Sequence, residues 1–307
     1  MAEYTLLYGQ FVIRYPDLPK QGPEPDGDTM KFAPADQDLV WKKITRRSGR
    51  PPKINRRGIS VRLEAIDALE THFNGTHQEL DGGEKARDTL LAKLGFTNIK
   101  YWGEHLHNKI QSADQDSLPG FVLSNGIDAN GRLIGFVYSG NDGPGEDGAT
   151  VTVDNKLIDK SVNTKLLSDG LAFPAFYGTL PSKLRDHLVT KSKAARTAGK
   201  GILPRATGLP KRPAEVTDLE SLTISVIWPK LSRRLVVFLK ETGPGLEGFE
   251  AWLREDGVDR DDKMFRLDTK ENVRFHDILT IKGDTIALTV QPEVIVIEPD
   301  PADGSGR

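Results

Sequence analysis

Short apolar runs, separated by breaks rich in proline, glycine and charge, set the pattern of the chain. Phe11 to Tyr15 has strand composition and runs into Pro16, Pro19, Pro23 and Pro25, which no central strand or helix tolerates, so a loop follows. Thr29 to Phe32 and Ile59 to Ile66 are the next strand-like runs. Between Gly83 and Phe96 the period changes. Ala86, Leu90, Leu91 and Leu94 recur at helical spacing, and Gly95 is a natural stop. Phe121 to Ser124 and Leu133 to Tyr138 flank Asp128, Ala129, Asn130 and Gly131, the chemistry of a hairpin turn. Ser161 to Gly170 and Ser182 to Lys200 read as helices, the second with Leu184, Leu188, Ala194 and Ala195 inward.

Pro204 and Pro210 then interrupt the pattern, and the polar stretch around them reads as a domain boundary. Beyond it, Leu222–Trp228, Leu235–Leu239, Ile278–Ile281, Ile286–Val290 and Val294–Ile297 form apolar runs that suggest a strand-rich second domain. The expected organisation is therefore a first domain over residues 1–205 with an insertion at 41–57, a linker at 206–217, an accessory domain at 218–298 and a frayed tail at 299–307.

Composition narrows the class. Hydrophobic residues at 37% and charged residues at 28% describe a folded globular protein. The absence of cysteine excludes disulfide staples, zinc-thiolate sites and thiol nucleophiles. No window reaches the roughly 18 apolar residues of a membrane span. The first residues carry Glu3 and Arg14 without a leader pattern, so a cytoplasmic location and no membrane partner are expected. The net charge of -2 conceals a local run. Between Trp41 and Arg57 stand Lys42, Lys43, Arg46, Arg47, Arg50, Lys53, Arg56 and Arg57 with no acid among them. Such a run attracts phosphates without reading base sequence, and DNA or RNA becomes the expected partner. A solvated loop is the plainer alternative. The embedded Gly49-Arg50-Pro51 also matches the short core of an AT-hook.

Two acidic clusters stand at strand ends: Asp26-Gly27-Asp28-Thr29, and Asp67-Ala68-Leu69-Glu70. Carboxylates, a backbone carbonyl and waters are the oxygen donors that Ca²⁺ or Mg²⁺ requires. Arg62 lies five residues before Asp67 on one extended run, where an odd separation places side chains on opposite faces; the alternation must break near Ile66 for both to serve one site. Arg132 leaves the hairpin turn, and guanidinium groups suit the charge that grows on a phosphate under attack.

In order and spacing these residues resemble the staphylococcal nuclease (thermonuclease) family. Asp26-Gly27-Asp28-Thr29 stands where that family has its Asp-Gly-Asp-Thr turn, Arg62, Asp67 and Glu70 keep its spacings of five and three, and Asp128-x-x-Gly131-Arg132 matches its second arginine turn. Gly170-Leu171-Ala172 and the Ala- and Lys-rich Ser192–Gly201 extend the resemblance over residues 10–204. It implies an α+β fold, a five-stranded OB-type β-barrel with packed helices, beside the smaller strand-rich C-terminal domain. It further implies a metal-dependent endonuclease that hydrolyses DNA or RNA phosphodiesters by in-line attack of an activated water. Asp28, Asp67 and the Ala68 carbonyl would hold a divalent cation, Ca²⁺ or else Mg²⁺ or Mn²⁺. Glu70 would activate the water, and Arg62 and Arg132 would grip the phosphate. Ala68-Leu69 replaces the family's Thr-Pro, Asn130 replaces a tyrosine, and its base-stacking tyrosines are answered by Phe176 or Tyr177.

Other features have plainer readings. His105 and His107 belong to a second insertion, Asn98–Leu118, and His72, His77 and His187 to loop or helix surfaces. Gly283-Asp284-Thr285 reads as a hairpin turn rather than a repeated motif. Trp228, Pro229, Lys230, Arg233 and Arg234 read as a basic edge beside a strand, open to nucleic acid or a protein partner. A silent nucleic-acid-binding barrel and a protein-interaction scaffold are the rival readings.

Overall fold

The computed structural model describes residues 2–47, 50–103, 106–256 and 260–298. Gly49 of the AT-hook-like core, His105 of the histidine pair and the tail 299–307 lie outside these residues. The elements are, in the first half, β1 (Ala2–Val12), β2 (Thr29–Pro34), α1 (Gln37–Lys43), β3 (Ile59–Leu63), β4 (Ala65–Asp67), α2 (Leu80–Leu94), β5 (Lys100–Tyr101), β6 (Ile110–Ser112), β7 (Ser117–Ile127), β8 (Leu133–Ser139) and β9 (Thr150–Val153). There follow α3 (Asn155–Lys160), α4 (Val162–Ser168), β10 (Phe173–Tyr177), α5 (Ser182–Thr197), β11 (Ala214–Glu215), α6 (Leu219–Thr223), α7 (Pro229–Thr242), α8 (Phe249–Glu255), β12 (Lys263–Arg266), β13 (Asn272–Arg274), β14 (Leu279–Lys282), β15 (Thr285–Leu288) and β16 (Ile295–Ile297).

These elements form two compact units that interleave along the chain: residues up to 64 with 87–166, and residues 65–86 with 167–299. The first unit is a closed barrel. β1 pairs with β7 and β2, β2 with β3, β3 runs parallel to β8, and β8 returns to β7; β9 adds a sixth strand beside β1. Closure satisfies the edges that an open sheet would leave unpaired. Alternation supplies the core. In β2 and β3 every second residue is buried, including Met30, Phe32, Ile59, Val61 and Leu63, and each such side chain contributes about 1.5–3 kcal/mol of burial. Phe11 and Phe32 face each other in register, their ring centroids 5.1 Å apart. The expected α+β barrel is thus present. β1 begins well before Phe11, and the expected hairpin is β7–β8 with a bulge between Ser124 and Gly126.

The second unit holds a five-stranded sheet in the order β13-β12-β16-β10-β4 and a three-stranded sheet in the order β11-β15-β14. Its core gathers Trp228, Leu231, Leu235, Phe238, Phe249, Trp252 and Phe275. The strands expected after residue 260 are there, and Gly283-Asp284 turns the β14–β15 hairpin. Leu235–Leu239 is corrected: it lies within helix α7, because Leu231, Leu235, Phe238 and Leu239 share one buried face behind Pro229 at the first helical turn. Leu222 likewise belongs to α6, not a strand. The stretch 206–217 is packed rather than a bare linker: Ala206, Leu209, Ala214 and Val216 are buried in this core, and β11 pairs with β15.

The run Ile59–Ile66 does not continue as one strand. Ala65 takes a left-handed φ of 73°, which costs about 1–3 kcal/mol for a residue with a side chain, and divides β3 from β4. β3 pairs within the barrel, whereas β4 pairs with β10, Asp67 opposite Phe173. The alternation relating Arg62 to Asp67 is broken here, at Ala65.

Candidate active site

In the barrel unit, Thr29 of β2 stands opposite Arg62 of β3, which brings Asp28 beside the same arginine. Arg62 Nη1 donates to Asp28 Oδ1 at 2.8 Å, and the Thr29 hydroxyl donates to the same oxygen at 3.1 Å. The Asp28 side chain is only 4% exposed and that of Arg62 16%, so the pair is largely withdrawn from water. Arg132 is set by its own turn. Asp128 Oδ1 accepts from the Asn130 and Arg132 amides at 2.9 and 2.8 Å, and Oδ2 accepts from Arg132 Nε at 2.8 Å. Gly131 has a φ of +79°, and a Cβ there would meet Lys53 and the Pro51 carbonyl, so only glycine fits this turn. The guanidinium plane of Arg132 is therefore fixed through its inner nitrogen, with 30% of the side chain exposed.

In the second unit, Asp67 is fully buried at the end of β4. Three residues on, Glu70 is anchored by its backbone: its amide donates to Gln78 Oε1 at 3.2 Å, and its carbonyl accepts from the Gln78 amide at 2.8 Å. Gln78 is itself buried and donates to the Ile227 carbonyl at 2.8 Å. Ala68 is buried between them in sequence. Both carboxylates meet a residue that the sequence pattern did not single out for catalysis. Arg233 of α7 donates from Nη2 to Asp67 Oδ2 at 2.8 Å and from Nη1 to Asp67 Oδ1 at 3.1 Å, and Nη1 also binds Glu70 Oε1. A two-pronged fork on a buried carboxylate is among the stronger polar contacts a protein makes.

The other cations of α7 are also engaged. Lys230 and Arg234 both bind Asp262, at 2.7 and 3.0 Å. Burial would push the Asp262 carboxyl up, but the charges and hydrogen bonds of Lys230 and Arg234 outweigh it and hold it below its usual range. The expected basic edge at 228–234 is thus corrected: its Lys230, Arg233 and Arg234 neutralise carboxylates inside the second unit. Phe176 is buried and cannot stack on a base, while Tyr177 is half-buried.

The described residues of the basic segment are held against the barrel at several points. Asp36 caps α1, and the segment is tied to the barrel by an Arg46–Ile127 bridge and by the Lys53 amide on the Gly131 carbonyl. Arg47 donates to the Asn125 carbonyl, Arg57 pairs with Asp17 over the Tyr15 ring, Arg46 lies over Trp41, and Lys42 pairs with Asp38. Lys43, Arg50, Lys53 and Arg56 are exposed.

Sequence reasoning also missed Glu64. It stands between β3 and β4, fully enclosed, its Oε1 accepting from Asn125 Nδ2 at 3.1 Å. Burial raises its pKa to about 7, against the pull of Asn125, the nearby Tyr4 hydroxyl and the Arg47 charge.

Asp67 gives both oxygens to Arg233, and Asp28 gives one to Arg62 and Thr29. Among the described residues no group of three or more His, Asp or Glu side chains could hold a metal. In this arrangement Arg233 occupies both oxygens of Asp67, the carboxylate that the resemblance gives, with Asp28 and the Ala68 carbonyl, to a divalent cation.

Among the described residues no helix is long and apolar enough to cross a membrane. No curated protein matches the chain. The family described as staphylococcal nuclease homologue does match residues 60–203, a segment that begins in β3, leaves Asp28 outside and includes Arg62, Asp67, Glu70 and Arg132.

Proposed function

We propose that the chain is an endonuclease acting on the phosphodiester bonds of DNA or RNA. The family match over residues 60–203 carries this reading, because it spans four of the five residues that the chemistry needs. Arg62 and Arg132 hold the phosphate and stabilise the charge that develops on its oxygens. Glu70 accepts a proton from the attacking water. Asp28 orients Arg62, and Asp67 orients Arg233. No step is assigned to a divalent ion, since the donors do not fit one while Arg233 is in place. The exposed cations of the 41–57 segment add affinity for the nucleic-acid backbone. The cytoplasm is the location this reading assumes.

Cleavage of single- and double-stranded DNA and RNA by wild type and Glu70→Gln, with Ca²⁺, Mg²⁺, Mn²⁺ or chelator, tests the proposal. Cutting by the wild type that vanishes in the variant is the expected result. The second reading, a silent barrel that only binds nucleic acid, is favoured by one observation: Arg233 occupies both Asp67 and Glu70. Salt-sensitive binding without cutting under any of these conditions would select it.

A further inference from the structure

We infer that Arg233 is the resident cation of the Asp67–Glu70 carboxylate pair, and that this pair takes up a divalent metal ion only when the guanidinium is removed. Three anchors in the second unit hold the arrangement. Asp67 is fixed by the pairing of β4 with β10, Glu70 by its two backbone bonds to Gln78, and Arg233 by its place on α7. The rotation of α7 is itself set by the buried face of Leu231, Leu235 and Phe238 and by the Lys230 and Arg234 bonds to Asp262. The guanidinium is thus delivered to the carboxylates by a rigid element rather than by a mobile side chain alone.

A guanidinium and a divalent ion compete for the same oxygens. The fork on Asp67 uses both of its oxygens, and a metal ion placed there would face a fixed positive charge at short range. Arginine keeps its charge at every pH a protein survives, so protonation offers no release. Gln78 ties Glu70 to the Ile227 carbonyl, two residues before α7 begins. The carboxylate loop and the helix bearing Arg233 are therefore one hydrogen-bonded assembly. This inference goes beyond the nuclease reading and does not depend on it.

The test is a calorimetric titration of Ca²⁺ and of Mn²⁺ into the full chain without nucleic acid, for wild type, Asp67→Asn, Arg233→Ala and Arg233→Ala/Asp67→Asn. Wild type is expected to show no saturable binding below about 1 mM, the weak end of oxygen-ligand calcium sites. Arg233→Ala is expected to gain a saturable site that the added Asp67→Asn abolishes. Saturable binding by wild type that Asp67→Asn removes would overturn the inference, as would a folded Arg233→Ala that binds no ion. Should Arg233→Ala fail to fold, the wild-type titration with its Asp67→Asn control decides alone. Because no cleavage is read, failure of the nuclease proposal leaves this result untouched.

Discussion

Arg233 and Asp67, 166 residues apart in sequence, meet as a parallel fork with nitrogen–oxygen distances of 2.8 and 3.1 Å. Asp67 is completely buried, so the guanidinium is what makes its charge tolerable there. Removing one partner of a buried pair typically costs about 3–5 kcal/mol, because the other charge is left stranded. Arg233→Met should therefore lower stability by that order, measured by urea unfolding. Combining it with Asp67→Asn should recover a substantial part. A double-variant loss equal to the sum of the Arg233→Met and Asp67→Asn losses would show that the two residues are not energetically coupled.

Glu64 makes stability depend on pH. Its folded pKa of about 7 lies above the ordinary 4.5, because burial disfavours the carboxylate. The folded state then binds more proton than the unfolded state between these values. The stabilisation is complete below pH 4.5 and is lost as pH rises through 7, by about 3 kcal/mol at about 1.4 kcal/mol per unit. Glu64→Gln, which keeps an acceptor for Asn125, should flatten this fall and leave the variant more stable than wild type at pH 8. Urea midpoints at pH 5, 6, 7 and 8 measure it. A variant with the same slope as wild type would locate the pH dependence elsewhere.

Much of the barrel was legible because its residues act locally. The alternation in Thr29–Phe32 and Ile59–Leu63, the Gly95 stop and the Asp128–Arg132 turn each carry their instruction within a few residues. Asp28 and Arg62 were legible too, since a two-strand register joins them. Arg233 was not, for two reasons. Leu-Val-Val-Phe-Leu at 235–239 has strand composition, and the helical signal lay in the wider spacing of Leu231, Leu235, Phe238 and Leu239 behind Pro229. The partner of Arg233 is also set by tertiary packing, which no local pattern encodes. Glu64 was hidden likewise: it sits in an apolar, strand-like run that breaks at the next residue, Ala65, which turns left-handed without the glycine that usually announces such a turn.

Arg132 offers a check on phosphate recognition that stability cannot confound. Its Nε bond to Asp128 fixes a planar fork, and lysine cannot reproduce that geometry. Under the nuclease reading, Arg132→Lys should keep its melting temperature within a degree or two of wild type and lose cleavage by roughly 100-fold or more. Single-turnover assays on one defined oligonucleotide, beside a thermal melt, separate the two effects. Full activity in the lysine variant would mean that positive charge alone suffices there, or that Arg132 has no part in the reaction.

The basic segment divides into cations that build the barrel unit and cations that face solvent, and the two groups should respond differently to mutation. Arg57 pairs with Asp17 at 2.7 Å and lies 4.3 Å from the Tyr15 ring centroid, so Arg57→Ala should show mainly as lost stability. Lys43, Arg50, Lys53 and Arg56 are exposed, and their removal should leave the fold intact. If they bind the nucleic-acid backbone, each cation that neutralises a phosphate releases counterions. The slope of log affinity against log salt should then fall by about 0.9 per contact on duplex DNA and about 0.7 on single strands. The fourfold alanine variant is therefore expected to bind more weakly at low salt and to approach wild type at high salt, in fluorescence anisotropy from about 50 to 200 mM salt. Parallel lines for variant and wild type would show that the segment holds no phosphates, leaving Arg62 and Arg132 as the cations on which recognition rests.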